Sequence, residues 1–166
     1  MKKLMIFAFA CAMAITASAT KLTQGSLDAL KGQRDVTVVF DLSKTVYDKN
    51  KTVDDFMKKY YRLPNWMEIS LNEFVKEFNE HAYRMETTVT TTAGGKYQMT
   101  VTPATLTKGG KLTDVTVVIT DKTSGQTIAT LTMDSKDGDS DDEKGLKDAM
   151  EDLGEQLGKF FNKQAK

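Results

Sequence analysis

From Met85 to Met133 the chain becomes rich in threonine and valine and is punctuated by glycine, and this stretch limits the fold more than any other feature. β-Branched side chains are stiff at χ1 and fit a pleated, half-buried surface better than a helix. The pattern predicts strands near 85–92, 96–106, 113–121 and 126–134. Gly94-Gly95, Gly109-Gly110 and Ser124-Gly125 separate them, each a turn signal of hairpin length. Connections this short predict an antiparallel meander.

Elements of other kinds flank the meander. Residues 20–34 carry Gly25 and Gly32 and read as a lead-in with one turn at Ser26 to Leu30. In Asp35 to Ser43, Val36, Val38, Phe40 and Leu42 fall on one face and Thr37, Val39 and Asp41 on the other, which predicts a strand. Thr52 with Asp55 three residues on forms a helix start, followed by Phe56, Met57, Tyr60 and Tyr61 at helical spacing and ended by Pro64. A second helix begins near Asn65, with Met67, Leu71, Phe74, Val75, Phe78 and Ala82 as its apolar stripe. The last helix carries Leu146, Met150, Leu153, Leu157 and Phe161, with acids before it and Lys159, Lys163 and Lys166 at its end, as the helix dipole favours. The order is β-α-α-β-β-β-β-α. The expected fold is a two-layer α+β domain over 35–166, with a mainly antiparallel sheet of four to five strands and helices on one face.

The first 19 residues read as a cleavable secretory signal. Lys2 and Lys3 precede an apolar stretch from Leu4 to Ile15, and Ala17-Ser18-Ala19 supplies the small residues for cleavage between Ala19 and Thr20. The apolar stretch is about a dozen residues, short of the roughly 20 that a spanning helix needs, so no transmembrane segment is expected after cleavage. Cys11 offers a competing lipoprotein reading, with Ala8-Phe9-Ala10 before it. Ten residues leave little apolar segment ahead of such a cut, and the apolar run continues to Ile15. The expected address is therefore outside the inner membrane, in the periplasm or beyond the cell.

Cleavage would remove two of the 23 basic residues and none of the 23 acidic ones, leaving a net charge of −2. That balance gives no pull toward nucleic acid. Cys11 is the one cysteine, so the remaining 147 residues would hold no disulfide, thiol nucleophile or Cys-ligated zinc.

Reactive constellations are weak. Asp137, Asp139 and Asp141 with Asp148 at the twelfth place imitate a calcium loop, but Asp142 stands where the sharp turn needs Gly, and the twelfth ligand should be Glu. A solvated loop leading into the last helix is the simpler reading. His81, the one histidine, stands beside Glu77 and Glu80 without a second histidine or a Gly-x-Ser-x-Gly turn, and reads as a surface helix residue. Asp41, Asp48, Asp54 and Asp55 could contribute a carboxylate pair only if the fold sets their separation. No catalytic residue, metal ligand or cofactor site is assigned.

Three features are left as a partner surface. Trp66, near Tyr60 and Tyr61 at a loop-to-helix corner, could stack on a sugar or a partner, although aromatics there more often seal a core edge. Gly154 and Gly158 lie four apart in a helix where each costs roughly 1 kcal/mol against alanine, which points to close packing on the sheet or a contact with another subunit. Thr37, Thr100, Thr102, Thr116 and Thr120 form a hydroxyl-rich sheet face, which either meets water or takes a glycan, another surface or an added strand.

The segments LDALKGQRDVTVVFDLS, FVKEFNEHA, GKYQMTV and LGEQLGKFFNKQ, behind a leader, resemble a group of small exported proteins of Bacteroidetes that carry no assigned function. The resemblance spans most of the chain after the leader and rests on structural motifs. It implies a diderm cell and a periplasmic or outer-surface address. A glycine-rich stretch expected before the last helix is here replaced by acids. The reading that results is a non-enzymatic binding or cell-envelope accessory module with a protein or glycan of the envelope as partner. The alternatives are a hydrolase-type enzyme whose carboxylates meet only in the fold, and a calcium-dependent adhesion module.

Overall fold

The computed structural model describes residues 20–49, 51–60, 65–136 and 144–165. The leader with Ala19 and Cys11, Tyr61, Pro64 and the acidic run at 137–143 lie outside the described residues. Among the described residues one sheet of eight strands carries three α-helices, and it is mixed rather than mainly antiparallel. The strands are β1 (Lys21–Gly25), β2 (Val36–Phe40), β3 (Val46–Tyr47), β4 (Lys51–Thr52), β5 (Val89–Thr90), β6 (Tyr97–Leu106), β7 (Leu112–Asp121) and β8 (Thr127–Met133). The helices are α1 (Val53–Tyr60), α2 (Trp66–His81) and α3 (Lys144–Gln164).

The meander is present: β6, β7 and β8 pair antiparallel in sequence. Beyond it the sheet grows in ways that alternation does not reveal. The lead-in supplies β1, which adds antiparallel to β8 at one edge, followed by a short turn at Asp28–Leu30. An edge strand with little buried surface needs no apolar alternation, and four of the five β1 residues are exposed. On the other side β2 runs parallel to β6, and α1 and α2 supply the crossover that a parallel pair requires. β3 extends β6 in parallel, and β4 folds back on β3.

The strand expected over 85–92 shrinks to Val89–Thr90 and pairs with β2 instead of forming a hairpin with β6. Two local interactions account for this. Residues Tyr83–Met85 tighten into a 3₁₀ turn ending at Glu86 in the left-handed region, φ 53°. Asn79 of α2 then clasps the backbone of Val89, its Oδ1 accepting from the amide at 2.8 Å and its Nδ2 donating to the carbonyl at 3.1 Å.

The helices form where the sequence places them. Asp55 Oδ2 accepts from the Thr52 amide at 2.9 Å, and Thr52 Oγ1 accepts from the Asp55 amide at 3.4 Å, a reciprocal cap. In α2 the stripe is centred on Ser70, Phe74 and Phe78, which are fully buried, while Met67, Leu71 and Val75 are half-buried at its flanks. In α3 all five expected core residues, Leu146, Met150, Leu153, Leu157 and Phe161, are buried. The rings of Phe40 and Phe74 meet at 5.1 Å and those of Phe78 and Phe161 at 5.0 Å, both edge to face, which ties β2, α2 and α3 into one core. Met99, Val101, Val117, Ile119 and Leu131 form the sheet side of that core.

Gly154 and Gly158 pack on α2, not on the sheet and not on a second subunit. A Cβ on Gly154 would stand 2.4 Å from the carbonyl oxygen of Phe74, and one on Gly158 would stand 2.7 Å from that of Phe78. Both numbers rise together along the two helices, so α2 and α3 run side by side in the same direction with their backbones nearly touching.

Candidate functional site: the open face of the sheet

Alternation along β6, β7 and β8 sends Tyr97, Met99, Val101, Val115, Val117, Ile119, Ala129 and Leu131 into the core. Their neighbours, Gln98, Thr100, Thr102, Thr116, Val118, Thr120, Thr130 and Thr132, are half-buried or exposed on the other face. The strand registers order them into rows. Thr102, Thr116 and Thr132 stand side by side and meet Lys21 of β1 at the margin. Val39, Thr100, Val118 and Thr130 form the middle row, ending at Gln24. Thr37, Gln98 and Thr120 form the third, and a bulge after Ile119 brings Thr127 opposite Thr120. Rows are separated by roughly 6.8 Å along the strands and neighbours within a row by about 4.8 Å.

Composition sets this face apart. None of the residues in these rows from β2 to β8 is charged, although 28% of the whole chain is. Charges gather at the margins: Lys21 at the β1 edge, Asp114 next to the Thr116 row, Asp41 just past β2, its amide donating to Val101 O at 2.9 Å, and Lys96 with Asp121 3.4 Å apart at the opposite end. Asp114 has φ 51° and its amide donates to Asp134 Oδ1 at 2.5 Å. Val39 is 38% exposed, one of few large apolar side chains so placed.

Thr100, Thr102, Thr116 and Thr120 therefore share one surface, as alternation predicts. Thr37 does not: it is only 5% exposed, and its hydroxyl donates to the carbonyl of Thr92 at 3.5 Å, beneath the loop before β6. Val39, Val118, Thr130, Thr132 and Gln98 also belong to the face. Their period-two spacing was the available signal, but pairing across strands was needed to join them. Trp66 is half-buried and packs on the core from the start of α2, away from this surface. Gly154 and Gly158 are buried between helices and present nothing to a partner.

The other candidates stay apart from one another in their interactions. His81 Nδ1 donates to the carbonyl of Glu77 at 2.9 Å and lies 3.8 Å from Glu77 Oε2, with its Cβ against Gly158. Hydrogen bonds from the Ser43 hydroxyl and amide hold the Asp41 carboxyl below its ordinary pKa. For Asp48 partial desolvation works upward, but Lys108 and Lys51 outweigh it and the pKa is lowered. Asp55 is lowered by the Thr52 amide and serves the helix cap. Among the described residues no group of three or more His, Cys, Asp and Glu could hold a metal ion. No described helix is long and apolar enough to cross a membrane.

No protein-family model matches this chain, and neither does any curated protein. Among solved structures, the PelC dodecamer from Paraburkholderia phytofirmans is similar at 12% identity and TM-score 0.42, covering 85% of this chain and 97% of that one. A variant of the same PelC dodecamer gives 12% identity and TM-score 0.41 over the same shares.

Proposed function

We propose that this protein is an exported, non-enzymatic binding module of the cell envelope and that it meets its partner through the open face of the sheet. The observation that carries the reading is the uncharged grid around Thr100, Thr102, Thr116 and Val118, bounded by charges only at its margins. A sheet face turned only to water tolerates Lys and Glu freely and gains solubility from them. A face that excludes them while keeping Val39 and Val118 half-exposed suits a neutral surface laid against it. The leader ending at Ala19 supplies the address, in the periplasm or outside the cell.

The test is sedimentation of the purified chain with the envelope fraction of its own cells. The wild type and the control Ile69→Glu, altered at an exposed α2 residue, should sediment with the envelope, while Val118→Glu should stay in solution. Equal sedimentation of Val118→Glu and wild type would end the reading. Mass spectrometry of the N-terminus tests the address: a chain beginning at Thr20 supports it, and one beginning at a lipidated Cys11 replaces it with a membrane-anchored form.

A further inference from the structure

Asp114 and Asp134 stand side by side, one step beyond the pairing of Val115 with Met133 at the end of β7 and β8. Asp134 Oδ1 accepts from the Asp114 amide at 2.5 Å, and among the described residues neither carboxylate has a cation within ion-pair distance. Asp134 is half-buried on a fixed backbone. Gln156 Nε2 donates to its carbonyl at 3.1 Å, and the next residue, Ser135, donates its amide to Leu112 O at 2.9 Å and accepts from the Leu112 amide at 2.9 Å. Two neighbouring acids held in this way disfavour each other's charge and favour an added cation. The β1 register brings one nitrogen to this place. Lys21 pairs with Thr132, and continuing that register by one residue sets the half-buried Thr20 level with Met133, its nitrogen on the side of Asp134. Strand spacing puts that nitrogen roughly 5–6 Å from the Asp134 Cα, within the swing of a carboxylate.

In the uncut chain the Thr20 nitrogen is a neutral amide. Hydrolysis after Ala19 consumes one water, leaves the new carboxylate on the departing leader and gives Thr20 an amine that is protonated at neutral pH. Resting on the leader read above, and not on the open face, we propose that this cleavage creates a structural group: the Thr20 ammonium pairs with Asp134, beside Asp114, and fastens β1 to β8. The strand is otherwise weakly held. Four of its five residues are exposed, and its ladder to β8 is interrupted between Leu22 and Gln24. At its far end the Ser26 amide donates to Ile128 O at 3.2 Å, so the new charge arrives at the opposite end. The other charged groups nearby are Lys21 on β1, Lys136 after β8, and Asp152 of α3, whose Oδ2 accepts from the Lys136 amide at 2.6 Å. Neither lysine forms an ion pair among the described residues, so the two acids are not already neutralised. An amine that gains an acidic partner has its pKa raised. Its contribution is therefore fully present below the unfolded value of about 8 and is lost as pH rises through the folded value.

The experiment compares hydrogen exchange in two purified chains, one beginning at Thr20 and one with a Gly-Ser-Gly-Ser extension before it, which carries the ammonium away from Asp134. At neutral pH the β1 amides of the Thr20 chain should be protected roughly threefold more, the scale of a partly exposed ion pair, while the β6 and β7 amides exchange alike in both. Asp134→Asn keeps an acceptor for the Asp114 amide and should abolish the difference between the two chains. Raising the pH to about 10, where the amine is neutral, should abolish it too. Equal β1 protection in the two chains at neutral pH overturns the proposal, and so does a difference that persists in Asp134→Asn or at the high pH. Mass spectrometry of the chain isolated from its own cells tells this failure from that of the leader reading. A terminus other than Thr20 ends both, whereas a Thr20 terminus without the exchange difference ends the pairing alone and leaves the address standing.

Discussion

Replacing Gly154 by alanine sets two effects of opposite sign against each other. In an exposed helix the change would stabilise by about 1 kcal/mol, because glycine loses more backbone entropy than alanine. Here the new methyl would lie 2.4 Å from the carbonyl oxygen of Phe74 and 3.0 Å from its Cα. Ordinary carbon contacts need about 3.5 Å, so α3 must retreat from α2 by roughly 1 Å locally. Both obstacles are backbone atoms, and no rotamer change can relieve them. The retreat would also loosen the Phe78 and Phe161 ring contact one turn along. Overpacking typically costs 1–3 kcal/mol, and a backbone obstacle places this site near the top, about 3 kcal/mol. The net expectation is a loss of about 2 kcal/mol, or a Tm lower by roughly 4–8 °C for a chain of this size. Urea unfolding should show a reduced midpoint with an unchanged m-value. Gly158→Ala, whose methyl would meet Phe78 O at 2.7 Å and His81 Cβ at 2.8 Å, should lose less. A Gly154→Ala protein as stable as wild type, or more so, would refute the backbone contact between α2 and α3.

Asp152, only 7% exposed, accepts from the Lys136 amide and from Gln156 Nε2, each at 2.6 Å; Asp152→Ala should cost about 1–2 kcal/mol, seen as a lower urea midpoint, and an unchanged midpoint would show that water replaces it. Asp121 is held below its ordinary carboxylate pKa chiefly by the Thr123 amide, so its contribution to stability is present above the unfolded value and is lost as pH falls through the lower folded value. The Tm should therefore fall in that acid range, and less for Asp121→Asn than for wild type; identical acid slopes would contradict the assignment. Val39→Thr with Val118→Thr should leave stability within about 1 kcal/mol, the span of strand propensities, because both residues stand on the open face of the sheet and not in the core. A urea midpoint lowered well beyond that span would show that these valines serve the core.

Local chemistry was legible in the sequence and distant partnership was not. The cap between Thr52 and Asp55 spans three residues, and the β6–β7–β8 meander is fixed by turns at Gly109-Gly110 and Ser124-Gly125, so both follow from short windows. β1 owes its place to β8, more than 100 residues away, and β5 to the side chain of Asn79. Neither segment has a pattern of its own, because neither is held by an amphipathic face. Gly154 and Gly158 announced a close approach but not its partner. The apolar face of α3 is wide enough to bury Leu157 in the core and to touch α2 through the glycines, and only the packing decides which side takes the missing Cβ.

The same distinction governs the open face. Alternation alone sorts Thr100 from Val101 and Thr116 from Val117, since a one-residue slip would turn the core outward. It says nothing about whether Thr100 lies beside Val118 or beside Thr116. With Thr100 opposite Val118, the residues Val39, Thr100, Val118 and Thr130 line up across four strands. A register shifted by two residues would keep every core side chain inward and yet put Thr100 beside Thr116 or Thr120, parting the two valines Val39 and Val118 from the row they now share. Burial of the core cannot choose between these registers, because both bury the same set. The turn geometry at Lys108 to Lys111 can: Gly110 N–H donates to Thr107 O at 3.0 Å, and Thr107 N–H donates to Lys111 O at 2.9 Å. The hairpin that closes β6 onto β7 therefore also fixes what the open face can present to a partner.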